Sequence, residues 1–361
     1  MRATKNTWDE PRELRGLREL SARFGSDRLL VQASSGNTSM KIDGTLWIKA
    51  SGKWLIDADA ADFLIPVQLA RAKRCLRART AIPEANSVAD FRASIETAMH
   101  AILPQKVIAH LHSVNAVAWA VRSDALQQLS DRLSRFHWKW IPYRHSGADL
   151  AETIADVSSR FPRTNLWMLG NHGLVVCGES CDSTEQLLAE VERCLRVDMR
   201  PLPEPDASAS KQSVAASGWR APEYAAIQAL ATDPVSRKIL SGGVLYPCQA
   251  LFLPSTVRVP EDSALKQLPF FRQRRTRNLI ENGHVPCRSE MTPAEEEMLL
   301  GLTDVVQRIH FSAPIRYLSF SEVSEILNVD SENYLRAANS SNDQGIDERK
   351  HGMADGIPRI A

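Results

Sequence analysis

The sequence predicts an α/β fold with a smaller, mainly helical C-terminal region, and three observations carry this. Residues 27–59, "DRLLVQASSGNTSMKIDGTLWIKASGKWLIDAD", alternate strand-like runs with Gly, Ser and Asp turns and read as a small antiparallel meander. Amphipathic helical stretches then alternate with short apolar strand-like runs up to about Arg196. A Pro-, Ser- and Ala-rich segment from Pro201 to Gly218 separates these from a second set of capped helices.

The elements follow in order. Pro11 to about Phe24 is a charged amphipathic helix, and the meander comes next. "VADFRASIETAMHAIL", from Val88, has helical spacing of its apolar residues, which puts Glu96 and His100 at i, i+4 on one helix face. Pro104 separates this helix from the strand-like "KVIAHLHSVNA", residues 106–116. "LWMLGNHGLVVC", residues 166–177, reads as two strands around a Gly170–Gly173 turn. "DSTEQLLAEVERCLRV" is a helix with Asp182 or Ser183 as N-cap, Glu185 or Gln186 at the capping-box position, and Leu187, Leu188, Val191 and Leu195 on one face. Domain boundaries follow: residues 1–200 form the first domain, 201–218 a linker and 219–335 a helical accessory region. There "TPAEEEMLLGLTDVVQRI" carries Thr292, Pro293 and Glu295 in capping positions, and "SFSEVSEIL" is a further helix. The polar tail 336–361 is expected to be disordered.

Composition bounds the function. The chain has 361 residues, 43% hydrophobic and 24% charged, with a formal net charge of +1, as in an ordinary soluble protein of two domains. So little net charge leaves no footprint for nucleic acid or an anionic membrane, and neither is expected as a partner. No apolar run approaches the roughly 18 to 20 residues of a membrane span. The N-terminus has no apolar core of a signal peptide, so a cytoplasmic location is expected. Six scattered cysteines without C-x-x-C spacing point to reduced thiols, and leave histidines and carboxylates to hold any metal.

His110 and His112 interrupt an otherwise apolar run. On a strand, residues i and i+2 point to the same side, so the two rings can converge on one point. A packed core histidine is the ordinary explanation of an isolated H-x-H, and what strengthens the metal reading is His172, presented at a tight turn between two strands. With Glu96 one helix and one loop upstream, three imidazoles and a carboxylate make a plausible zinc shell. His137, His145, His284 and His310 lack such an arrangement of partners.

The ordered motifs "SSGNTSMK" (34–41), "LWIKASGKWL" (46–55), "SIETAMH" (94–100), "AHLHS" (109–113) and "GNHGLVVCG" (170–178) resemble the class II aldolase/adducin family of zinc-dependent sugar-phosphate aldolases and epimerases. The resemblance covers Pro11 to about Arg196. It implies a three-layer domain with a central, mainly antiparallel sheet flanked by helices. It also implies zinc, or another divalent metal, on His110, His112 and His172, with Glu96 as the acid/base residue that can also ligate the metal. Phosphate binding falls to Gly36, Asn37, Ser51 and Gly52, with Ser94 as a further contributor, a sugar phosphate is the expected substrate, and a homo-oligomer is the expected assembly. "LWIKASGKWL" and "GVLYPCQALFLP" are similar to longer members related to the rhamnulose-phosphate aldolase module of bifunctional enzymes, but no G-x-G-x-x-G unit of a dehydrogenase half is present.

The chemistry agrees with what the resemblance implies. Retro-aldol cleavage needs a Lewis acid to stabilise an enediolate and a carboxylate to carry the proton. Gly- and Ser-rich turns can cradle a phosphate with backbone N–H groups, and Lys49 and Lys53 flank one such turn. An epimerase, decarboxylase or dehydratase of the same family is an alternative, as is a non-catalytic scaffold like the adducin head. The three histidines and Glu96 favour an enzyme, and a glutamate where the family's 4-epimerases carry aspartate favours an aldolase.

Overall fold

The structure, a computed structural model, describes residues 10–60, 63–80, 93–201, 219–253 apart from 221 and 223, and 285–328 apart from 286 and 290. The expected linker, apart from Pro201, and the tail lie outside these residues. The chain divides into two compact units, Met1–Ala116 with Leu126–Arg196, and Val117–Ala125 with Val197–Ala361.

The first unit is built on a seven-stranded sheet of β1 (Asn37–Ile42), β2 (Thr45–Lys49), β3 (Leu64–Gln68), β4 (Val107–Leu111), β5 (Trp138–Ile141), β6 (Leu166–Leu169) and β7 (Gly173–Gly178), in the order β3-β2-β1-β4-β7-β6-β5. Every neighbouring pair is antiparallel except β5 and β6. The β1–β2 hairpin closes on Asp43 and Gly44, both with positive φ (47° and 76°), the two-residue geometry whose twist matches that of the strands. On one side of the sheet lie helices α2 (Leu69–Ala78), α3 (Thr97–Ile102) and α6 (Ala148–Arg160), with α4 (Val114–Ala120) and α5 (Ala125–Arg132) falling between α3 and α6 in the chain. Their Leu76, Met99, Leu150 and Ile154 share one core with Ile108, Trp167, Val175 and Cys177 of the strands. Strand alternation sends Leu174 and Val176 the other way, toward the side where α1 (Leu14–Ser26) and α7 (Cys181–Leu195) meet β1, β4 and β7. Three layers with a mainly antiparallel central sheet result.

Two predicted helices differ in detail. The stretch expected to be helical from Val88 is helical only from Thr97, and residues 88–92 lie outside the described part. Ala93 is drawn into an antiparallel bridge with Ala50, and Ser94 then turns the chain, its Oγ accepting from Glu96 N at 3.2 Å. Glu96 therefore occupies the N-cap of α3 and not a helix face. Helix α7 is capped by Ser180, upstream of the expected Asp182 or Ser183, because Ser180 and Ser183 satisfy each other's backbone N–H in a capping box. Asp182 and Ser183 fall inside the first turn.

In the second unit the described elements are mainly helical: Pro234–Ser241, Pro247–Phe252, Pro293–Arg308 and residues 320–328, with a small antiparallel pair, Trp219–Arg220 with Cys287–Arg288. Thr292, Pro293 and Glu295 form the predicted N-terminus, with a complete capping box. Val117–Ala125, which the sequence reading keeps with residues 1–200, groups here through Arg316 N to Val121 O (2.8 Å) and Ser123 N to Pro314 O (2.9 Å). Among the described residues no helix is long and apolar enough to cross a membrane, and all six cysteines are free.

Candidate metal centre

His110 projects from the end of β4 on the side of the sheet that carries α3 and α6, and His112 follows one residue beyond the strand. His172 is the last residue of the β6–β7 turn, after Asn171, which takes a left-handed φ of 53°. These two segments meet because residue 173 is glycine: a Cβ there would lie 2.4 Å from Leu111 O and 3.3 Å from His112 Cα. Gly36 performs the same service beneath His110, with φ +65° and only 2.9 Å between a hypothetical Cβ and His110 O.

The three imidazoles are buried, and their candidate ligand atoms lie within 4.8 Å of one another. His110 Nε2 and His112 Nε2 are 3.0 Å apart. Tetrahedral zinc at about 2.0 to 2.1 Å from each nitrogen would set them roughly 3.3 Å apart, so the cluster needs little adjustment to close on such an ion. His110 Nδ1 lies 3.0 Å from Leu174 O, an arrangement in which Nδ1–H donates to the carbonyl and leaves Nε2 for a metal.

Glu96 reaches the cluster from the N-cap of α3. Its Oε1 lies 3.3 Å from His110 Nε2 and 3.4 Å from His172 Nε2, and accepts from Ser146 Oγ at 3.3 Å. Its Oε2 accepts from Asn37 Nδ2 at 2.8 Å. His100, expected to share a helix face with Glu96, instead pairs its Nδ1 with Ser39 Oγ at 2.7 Å, deep under the sheet.

Charge explains the protonation pattern. Burial pushes the Glu96 carboxyl up, but His110 and the other two histidines outweigh it and hold the group well below the usual carboxylate range. Burial disfavours charge on His110 as well, yet the Glu96 carboxylate carries it above the ordinary histidine value. Burial and the neighbouring His110 keep His112 well below its ordinary value, and burial lowers His172 to about 4. Without metal the cluster is thus one ion pair, Glu96 with His110, beside two neutral imidazoles ready to ligate.

Of the expected phosphate residues, Asn37 and Ser94 stand beside Glu96, with Asn37 Nδ2 also 3.4 Å from Ser94 Oγ. Ser51, which is exposed, and Gly52, with φ 79°, form the turn after β2. Lys49 ties that turn to the loop before β1, its ammonium donating to Lys53 O (2.5 Å) and Ser34 O (3.0 Å). Burial lowers Lys49 to about 7 against the pull of Glu96. Ser146 and His145 are two residues that the sequence pattern does not single out; His145 lies close enough to help hold the charge off His172. Nothing local marks either residue, since both arrive from the loop before α6 through tertiary folding.

Three buried imidazoles and an ionised carboxylate at one end of a mainly antiparallel sheet form a cluster that could hold a metal ion. Residues 15–199 match the family described as Class II Aldolase and Adducin N-terminal domain, and the chain belongs to that family. It is 29% identical over 208 residues to the uncharacterized oxidoreductase YuxG of Bacillus subtilis (strain 168), a match covering 50% of this chain and 30% of that protein. The chain thus spans less than a third of that relative. It is 30% identical over 178 residues to methylthioribulose-1-phosphate dehydratase of Microcystis aeruginosa (strain NIES-843 / IAM M-2473), covering 45% of this chain and 83% of that enzyme. Solved structures similar to it include the N-terminal class II aldolase domain of a conserved protein from Thermoplasma acidophilum, with TM-score 0.41, 22% identity and coverage of 54% of this chain and 100% of that one. The L-fuculose-1-phosphate aldolase from Thermus thermophilus has TM-score 0.36 and 18% identity, covering 51% of this chain and 92% of that one.

Proposed function

We propose that this protein is a metal-dependent carbon–carbon lyase that cleaves a ketose phosphate by retro-aldol reaction, with zinc held by His110, His112 and His172. The observation that carries this is a buried Glu96 with one carboxylate oxygen 3.3 to 3.4 Å from two of three converging imidazoles. A bound divalent ion would supply Lewis-acid stabilisation of negative charge developing on the substrate's carbonyl oxygen. Glu96 carries the proton, taking it from the hydroxyl whose C–C bond breaks and returning it to carbon, while Asn37 and Ser146 hold its carboxylate. Backbone N–H groups of the Gly36–Asn37 and Ser51–Gly52 turns, both with a residue at positive φ, and the Ser94 hydroxyl receive the phosphate. Holding the ligand at both ends fixes the reacting bond over Glu96. We place the reaction in the cytoplasm, in a homo-oligomer.

The similarity to a methylthioribulose-1-phosphate dehydratase favours a second reading, dehydration of a phosphorylated ketose, in which Glu96 takes the proton from the carbon beside the carbonyl and delivers it to the hydroxyl on the next carbon, which leaves as water. Metal analysis of the purified protein, then a screen of ketose phosphates, separates them. Release of a triose phosphate supports the lyase, loss of water without chain cleavage supports the dehydratase, and a protein without stoichiometric metal refutes both.

A further inference from the structure

Asn37 lies in the turn assigned to phosphate, yet its side chain is committed elsewhere. Nδ2 donates to Glu96 Oε2 at 2.8 Å. With the carboxamide nitrogen turned to Glu96, the end left over is the oxygen. That atom, Oδ1, is buried and has no hydrogen-bond partner among the described residues. A lone acceptor repels a phosphoryl oxygen and takes a hydroxyl hydrogen.

The sheet register sets this up. Asn37 is the Cα partner of His110 across β1 and β4, so both side chains rise from the same face one strand apart. Glu96 enters above them from α3. A glutamate's terminal torsion is soft and roughly two-fold, so packing of the stem does not choose the carboxylate's orientation. The contacts to Oε1, from His110, His172 and Ser146, are all 3.3 Å or longer, whereas the Asn37 bond to Oε2 is 2.8 Å. The shortest restraint on the carboxylate is therefore Asn37.

We propose that the Asn37 side chain is a positioning residue for Glu96, holding Oε1 toward the histidines, and is not an anion ligand; the ligand group that meets its Oδ1 is a hydroxyl. This rests on the proposed function only in giving Glu96 the proton. The anion keeps the backbone amides of the same turn.

Crystal structures of the zinc-loaded full-length protein and its Asn37→Ala variant, the native crystals also soaked in inorganic phosphate, test this directly. The expected result is native Nδ2 on Glu96 with or without phosphate, and a Glu96 carboxylate turned from its native orientation in the variant. Calorimetric phosphate affinity should change less than about twofold, while kcat on whichever substrate turns over falls about tenfold or more at nearly constant KM. Should Asn37→Ala not fold, Asn37→Ser serves for the same measurements. Nδ2 bonded to a phosphate oxygen, an unmoved Glu96 in the variant, or a phosphate affinity weakened about tenfold would each overturn the proposal. A native protein that binds no phosphate at all counts against the phosphorylated substrate instead, and leaves the Glu96 orientation to decide this inference.

Discussion

In the proposed metal site, loading turns on His110. It holds a proton above the ordinary histidine range because Glu96 faces it, and a metal ion must displace that proton from Nε2. Zinc affinity should therefore rise with pH until His110 deprotonates, and calorimetry in buffers of different ionisation enthalpy should find about one proton released per ion bound. His112→Ala should remove stoichiometric zinc, by metal analysis, with an unchanged circular dichroism spectrum. Glu96→Gln keeps the three imidazoles and the Asn37 and Ser146 contacts within reach, so zinc stays, but kcat should fall roughly 10²- to 10⁴-fold for want of the base. The histidines were legible as residues because strand alternation alone brings His110 and His112 to one side. Glu96 was legible through the family motif. Its pairing with Asn37 and Ser146 was not, since a carboxylate's partners across 59 and 50 residues of chain leave no periodic trace.

Among the elements, the closest constraint is the crossing of the β6–β7 turn with the end of β4. Gly173→Ala would drive a Cβ to 2.4 Å from Leu111 O, so the backbone must part just where His112 and His172 are aimed. Weaker zinc binding together with a lowered melting temperature is the expected outcome, read by chelator competition and calorimetry. Gly52→Val meets a left-handed φ of 79° in the turn after β2, and should raise KM for the phosphorylated substrate more than it lowers kcat. Element types were readable from spacing: the meander, the histidine strand, the Gly170–Gly173 hairpin and the Thr292 cap all formed as patterned. The start of α3 was not: Ala93 bridges Ala50 and Ser94 turns the chain, so the helix begins only at Thr97. Tertiary pairing overrode local periodicity there, and it left Glu96 at the N-cap of the helix.

At the scale of the whole molecule, the buried imidazoles set an acid limit on the metal-free protein. Burial lowers His100 to about 3 and His172 to about 4, and His112 also sits well below its ordinary value. As pH falls from 6.5 toward 4 the unfolded chain takes up these three protons while the native state does not, so native stability must drop, by up to about 1.4 kcal/mol per pH unit for each group. His110 does not oppose this window. Its raised value gives stability that is complete below 6.5 and is lost only as pH climbs through the folded value. Denaturant melts between pH 7 and 4 should show the decline, and bound zinc should add to stability at the upper end by mass action.

The excursion of Val117–Ala125 bears on the order in which the chain is made. All three histidines and Glu96 leave the ribosome well before Pro314 and Arg316, whose backbones pair with Ser123 and Val121. The histidine cluster can therefore assemble on a nascent chain whose 117–125 segment still has open N–H and C=O groups, and translation must run nearly to the last described helix before that segment is closed.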